Sequence, residues 1–271
     1  MDAACGEMAM ESLGGEFPNR RVVLLGASNI ARGLSIVVDS ARQTWGSPLD
    51  IVAATGHGRS YGMSSRILGR TLPGILQSGL WGALATRPPA PTAVLLTDIG
   101  NDILYGASVA QIASWVQCCL RQLRPVAQQI TVTQLPLASL AEVGKFRFLA
   151  MRTVLFPKSR ITLSEALMTA QALNAHVSAL AEQFDATLIE PARHWYGIDP
   201  IHIKRSRQPD AWQQILGAWR PHPATAPARH SLLRLASLRR LRPQSRHMFG
   251  FPQQQEQPAR RLADGSCVSL F

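Results

Sequence analysis

The chain has 271 residues, 46% apolar and 17% charged, an ordinary globular composition with enough length to bury one sizeable core. Its net charge of +11 is uneven: from Lys204 onward there are twelve Lys or Arg against three acids, while residues 1–203 carry only +2. A uniformly basic, nucleic-acid-coating domain is therefore excluded, and no segment is apolar for long enough to span a bilayer.

Residues 1–20 read as a loose leader, with four acids, Gly14-Gly15 and Pro18. The leader lacks the basic start and apolar run of a signal peptide, so a cytoplasmic location is the default expectation. Val22 to Leu25 is an unbroken apolar run, which suits a strand buried on both faces. Ile30, Leu34, Val37 and Val38 then recur at helical spacing, so the chain turns from strand to helix around Ala27-Ser28-Asn29. A serine there sits at the carboxyl end of a strand, where open α/β sheets place their ligands. It also sits at a helix N-terminus, whose free N–H groups suit an anion. The competing reading is that Ser28 or Asn29 only caps the helix.

Leu49 to Ala54 is a second strand, ending in the glycine-rich Thr55-Gly-His-Gly-Arg-Ser-Tyr-Gly62. A mixed segment, helical in parts, leads to a third strand over Thr92–Thr97 and then to Asp98-Ile-Gly-Asn-Asp102. Val109 to Leu123 is helical, and Gln129 to Leu135 is a fourth strand. Ala138 to Leu155 and Leu163 to Phe184 are helical in pattern, the second with Thr162 or Ser164 as its cap. Ala186 to Ile189 is a fifth strand, a loop carries Asp199-Pro-Ile-His202, and Asp210 to Trp219 is a short helix. This alternation implies right-handed crossovers and a parallel sheet covered by helices on both faces. Beyond Arg220 the residues turn to Pro, Arg and Gln. Residues 221–271 are expected to be a disordered basic tail, with a short helix over Ser231–Leu241. Its charge could hold an acidic partner, but aromatic residues are scarce in it and nucleic acid is not the expected partner.

Four polar or glycine elements thus follow four strands, and in a parallel sheet those strand ends share one edge. A serine needs a base to take its proton, a loop histidine can serve near neutral pH, and a carboxylate orients the imidazole. Asp199, three residues before His202, can turn back onto it. The oxyanion of a tetrahedral intermediate needs donors, which the Ser28 N–H, a backbone N–H near Gly58 and the Asn101 amide would supply. The competing readings are a cap for Asn101 and Asp102, and a plain turn with a surface histidine for Asp199-Pro200 and His202. His57, His176 and His194 lack partners at ligand spacing. The four cysteines have no metal-ligand spacing, and the adjacent Cys118-Cys119 read as buried free thiols.

Taken in order, Leu25-Gly-Ala-Ser-Asn29, Gly56-His-Gly-Arg59, Gly100-Asn-Asp102 and Asp199-Pro-Ile-His202 resemble the four marker blocks of the SGNH (GDSL-like) hydrolase superfamily. The resemblance covers residues 21–220. It implies a three-layer α/β/α sandwich, flavodoxin-like, with five parallel strands. It implies Ser28 as nucleophile, His202 as base, Asp199 as its orienting acid, and Gly58 and Asn101 completing the oxyanion hole, with Gly62 the alternative to Gly58. It further implies hydrolysis of acyl or acetyl esters of small molecules, without metal or organic cofactor. The first block departs from the family in carrying Ala27 where an aspartate outside the triad usually supports the turn. That departure is the motive for a second expectation, an inactive binding protein on the same fold whose basic tail contacts an acidic partner. Ile67, Leu68, Leu72, Ile75, Leu76, Leu80 and Trp81 are candidates for an acyl-pocket wall or for plain core, and Trp195 and Tyr196 for its entrance.

Overall fold

Short apolar runs form the middle of a parallel sheet. β1 (Arg21–Leu25) is buried at every position and leads through a two-residue turn into α1 (Ser28–Trp45). β2 (Asp50–Ala54) pairs with β1 in parallel, Arg21 opposite Asp50 and Leu25 opposite Ala54. Strands with no exposed face must be covered on both sides, which is why these sequences do not alternate. The structure is a computed structural model and describes residues 17–155, 159–219, 228 and 231–271.

The next segment differs from the expected, partly helical one. β3 (Ser65–Ile67) and β4 (Arg70–Leu72) form a hairpin, and α2 (Leu80–Thr86) follows. The two turn residues, Leu68 and Gly69, lie at φ +48° and +77°, the left-handed pair of a type I′ turn. Leu68 occupies the place where Asn or Asp normally announces such a turn, so the local pattern conceals the hairpin.

β5 (Thr92–Leu96) pairs with the other side of β1. α3 (Asn101–Leu104), α4 (Val109–Leu123) and β6 (Ala127–Thr133) follow, α4 opened by a capping box of Ser108 and Gln111. The helix expected over 138–155 is divided into α5 (Leu137–Leu140) and α6 (Lys145–Leu155). α7 (Leu163–Gln183) starts at a capping box of Thr162 and Glu165, and β7 (Thr187–Ile189) and α8 (Gln208–Gly217) complete the expected elements.

The tail is where structure and expectation part most. Residues 220–227 and 229–230 lie outside the described residues, as do 1–16 of the expected leader. From 231 onward the chain is ordered into α9 (Leu232–Arg239), β8 (Ser245–Met248), β9 (Phe251–Gln254), β10 (Arg260–Arg261) and β11 (Cys267–Leu270). β11 runs parallel to β2, with Cys267 opposite Asp50 and Leu270 opposite Ala53. β8 pairs with β4, which makes a second, antiparallel sheet in the order β3-β4-β8-β9. Among the described residues the main sheet therefore has seven strands where five were expected, in the order β10-β11-β2-β1-β5-β6-β7. Only β10 is antiparallel to its neighbour.

α4 and α7 cover one face of this sheet, through Leu120, Leu173 and Val177 among others. α1, α8 and α9 cover the other, through Val37, Trp212 and Leu238. The result is a three-layer α/β/α sandwich. Of the two adjacent thiols, Cys119 is buried as expected and Cys118 is exposed. Among the described residues no helix is long and apolar enough to cross a membrane. The chain leaves β1 toward β2 on one side and returns as β5 on the other, so the crevice above β1 and β5 is a topological switch point.

Phe271 closes β11: its N–H donates to the Ala53 carbonyl at 2.9 Å and its side chain is 2% exposed in the main core. Phe271→Ala is expected to lower the unfolding free energy by about 3–5 kcal/mol. Urea denaturation measures this, and an unchanged midpoint would mean that the last strand contributes nothing to the fold.

Candidate active site

β1 carries the chain to the carboxyl edge of the sheet, and the turn at Gly26-Ala27 makes Ser28 the first residue of α1. Helix α1 has no side-chain cap; the Ser28 Oγ instead lies 2.9 Å from His202 Nε2, 174 residues away in sequence. His202 Nδ1 lies 2.6 Å from Asp199 Oδ2. The other oxygen, Asp199 Oδ1, accepts from the Ile201 and His202 backbone N–H groups at 3.3 and 3.2 Å. This Asx turn is what brings the carboxylate back onto the imidazole. Burial alone would raise the Asp199 carboxyl, but the His202 hydrogen bond and charge, the Ile201 N–H and the Arg32 charge together hold it below the ordinary range. The structure thus brings Ser28, His202 and Asp199 together, with Ser28 buried and Asp199 partly open to solvent.

A residue outside the expected set supports this arrangement. Asp98, two positions past β5, has φ +58°, a conformation that aspartate tolerates better than most residues. Its Oδ2 accepts from the Ala27 and Asn29 backbone N–H groups, both at 2.9 Å, and its Oδ1 from Asn29 Nδ2 at 2.6 Å. Asn29 Nδ2 also donates to the Ile201 carbonyl at 2.9 Å, and Asn29 Oδ1 accepts from the Ile203 N–H at 2.9 Å. The carboxylate missing at Ala27 is therefore supplied from the neighbouring strand. The signal for it in the sequence was an acid set immediately after a buried strand, beside a block that lacked its own.

The glycine-rich loop after β2 borders the same site. Gly58 has φ +64°, and a Cβ there would lie 2.7 Å from Ile67 Cγ1, so glycine is required on both counts. Its carbonyl accepts from the Tyr105 hydroxyl at 2.7 Å. Among the described residues neither the Ser28 nor the Gly58 N–H has an acceptor, whereas the Gly62 N–H donates to Ser60 Oγ at 3.2 Å. Asn101 does not cap α3; its Nδ2 donates to the Arg59 carbonyl at 3.3 Å, which leaves one amide hydrogen unused. Asp102 is fully buried and accepts from the Ser60 hydroxyl and the Tyr61 N–H. Burial pushes its carboxyl up to about 6 against the pull of those two bonds. Asp102 thus braces the glycine-rich loop and faces no substrate.

Ser28 and Asn101 line a cavity of about 110 Å³ with apolar walls, among them Ile99, Leu135, Phe148 and Trp195. Trp195 and Tyr196, expected at an entrance, are buried in this wall. The segment from Met63 to Thr86 contributes nothing to it, and Leu72, Ile75 and Leu80 are core. His194 pairs at the surface with Asp210, at 3.3 Å.

No protein-family model matches the sequence, and no curated protein does. Solved structures do match. The inhibitor-bound aryl esterase of M. smegmatis is 15% identical, with 73% of this chain and 97% of the esterase covered at a TM-score of 0.50. TesA is 15% identical over 74% of this chain and 98% of its own, at 0.47. A member of the lipolytic protein G-D-S-L family from Veillonella parvula is 10% identical over 74% and 95%, at 0.46. The three-layer fold described above is that of the aryl esterase.

Because Asn29 joins the Ser28 turn to the His202 loop, Asn29→Ala leaves the buried Ile203 N–H without its partner. A stability loss of about 1–3 kcal/mol is expected, with faster hydrogen exchange at Ile203. Unchanged protection of that amide would show that the loop is held by other contacts.

Proposed function

We propose that the chain is a serine hydrolase cleaving carboxylic esters through an acyl-enzyme. The observation that carries this reading is the continuous contact from Ser28 Oγ through His202 to Asp199, at 2.9 and 2.6 Å, on the carboxyl edge of the sheet. The shared fold with an aryl esterase supports it.

Asp199 accepts a hydrogen bond from the His202 Nδ1–H, which leaves the Nε2 lone pair facing the Ser28 hydroxyl. His202 takes the hydroxyl proton as Oγ bonds to the ester carbonyl carbon. The Ser28 and Gly58 N–H groups and the spare Asn101 amide hydrogen meet the oxyanion. Collapse breaks the bond between the acyl carbon and the alcohol oxygen, and His202 returns the proton to the leaving alcohol. Water, deprotonated by His202, then attacks the Ser28 ester and releases the acid. The apolar cavity beside Ser28 takes the acyl group, and its small volume suits a short one. The motive for an inactive binding protein was the missing aspartate at position 27; Asp98 provides a carboxylate there.

A fluorophosphonate probe is expected to label the wild type and not Ser28→Ala. On a p-nitrophenyl ester series Ser28→Ala should lose about 10⁴-fold or more in kcat. Asn101→Ala should lose about 10²–10³-fold, with a smaller change in KM. Wild-type turnover by a folded Ser28→Ala overturns the mechanism.

A further inference from the structure

A second cavity, of about 650 Å³, is walled in part by Arg32 and its neighbours in α1. Its walls come from the first turns of α1, the loop after β2, β4, the Arg205–Gln208 segment, α9, β8 and β11. Leu72, Leu238 and Leu270 give it a buried apolar floor. Arg32, Arg70, Arg205 and Arg246 line it together with His57, and among the described residues the lining contains no carboxylate. Arg32 reaches Asp199 Oδ2 at 3.4 Å, so the cavity abuts the reactive group. Arg70, Arg205 and Arg246 form no ion pair among the described residues: Arg70 Nη2 donates to the His57 carbonyl at 3.2 Å, and Arg246 Nε to Gln253 Oε1 at 2.9 Å.

Cations in such an arrangement repel one another. Burial and then the Arg246 charge lower Arg70, and burial and then Arg242 lower Arg246. Burial, Arg70, His202 and Arg32 lower His57, in that order, so it stands neutral beside the arginines at physiological pH. A ligand anion would relieve this repulsion. A single carboxylate occupies one guanidinium fork, whereas the non-bridging oxygens of a phosphoryl group can accept from two or more.

We propose that this trough binds the leaving-group side of the ester, and that the leaving group is an alcohol or thiol bearing a phosphoryl group held by Arg70, Arg205 and Arg246. The inference rests on the esterase reading above and specifies its substrate. The acyl group enters the apolar cavity, the scissile carbonyl lies over Ser28, and the phosphorylated portion lies along the arginines. β4, α9, β8 and β11, which supply much of the trough's wall, lie outside the segments that carry Ser28, Asp199 and His202.

The test is a matched pair: the butyrate ester of 2-hydroxyethyl phosphate and the monobutyrate of ethylene glycol. The wild type is expected to favour the phosphorylated ester at least tenfold in kcat/KM. In Arg246→Gln that ratio should fall about tenfold, and further in the double variant with Arg70→Gln, as charge-assisted hydrogen bonds are lost. A ratio near one in the wild type, or one that the substitutions leave unchanged, overturns the proposal and leaves the esterase reading standing. Inorganic phosphate inhibiting both esters equally, without preference between them, would make the trough a free-phosphate site and also overturn it. If neither ester is hydrolysed the esterase reading is in question, and calorimetry with 2-hydroxyethyl phosphate then decides the trough. Binding to the wild type that weakens in Arg246→Gln supports it; absence of binding overturns it.

Discussion

One side chain, Asn29, ties the site together. Ser28 follows β1, Asp98 follows β5, and His202 lies in a loop beyond β7, so the site is drawn from segments 69 to 174 residues apart. Asn29 joins these segments: its amide nitrogen donates to Asp98 and the Ile201 carbonyl, and its amide oxygen accepts from the Ile203 N–H. The Asp98 carboxylate closes the network by accepting from the backbone on both sides of Ser28. Hydrogen bonds to an ionised partner contribute about 1.5–3 kcal/mol each, and in a partly buried site water competes weakly for them. Positioning of this kind matters because the proton transfer proposed between Ser28 and His202 would tolerate little displacement.

The C-terminal strands extend that constraint to the oxyanion side. Without β11, β2 would be an open edge with a row of unpaired backbone groups. β11 covers it, and β10 ends the sheet as two residues, both arginine, a short charged edge that resists further pairing. The same strand reaches the glycine-rich loop. The buried Arg59 guanidinium donates to the Phe271, Thr55 and Pro73 carbonyls, and the Arg59 carbonyl receives Asn101. Burial and then the Arg70 charge lower Arg59 to about 9, so it remains a cation in the core at neutral pH. The end of the chain thus braces the loop that presents the Gly58 N–H.

What could be read from the sequence, and what could not, follows from the range of the interactions. β1, β2 and β5 were legible because burial on both faces demands largely apolar runs, and α4 and α7 because helical period and capping residues are local. Ser28, His202 and Asp199 were legible as strand-end residues, and the structure sets them in contact. β11 was not: its four residues, Cys-Val-Ser-Leu, carry no distinctive pattern, and its register is set by a partner 217 residues away. Asp98 was hidden for a similar reason, since its function is defined only by what lies across from it at Ala27 and Asn29. The hairpin turns at Leu68-Gly69 and Phe249-Gly250 place an apolar residue at a positive φ, against the local preference. Such a conflict between local and global preference is settled by tertiary pairing, here of β4 with β8.

The order of the C-terminal segment changes what its charge means. In a solvated tail the six excess positive charges of residues 221–271 are screened and cost little. Folded against α1 and β4, they must be paired or tolerated. Arg234 is paired, 2.8 Å from Asp39. Arg246 is instead set near Arg70, and both face a cavity lined by no carboxylate among the described residues. A fold selected for stability alone would place an acid there, as it does at Asp50, which is buried between Arg21 and Arg87 at 2.8 and 3.0 Å. The same chain therefore neutralises arginines where they are structural and, among the described residues, leaves Arg70 and Arg246 without an acidic partner in the trough. Preorganised, unpaired cations are costly to the free protein and favourable once an anion arrives, which is the energetic signature of a binding site.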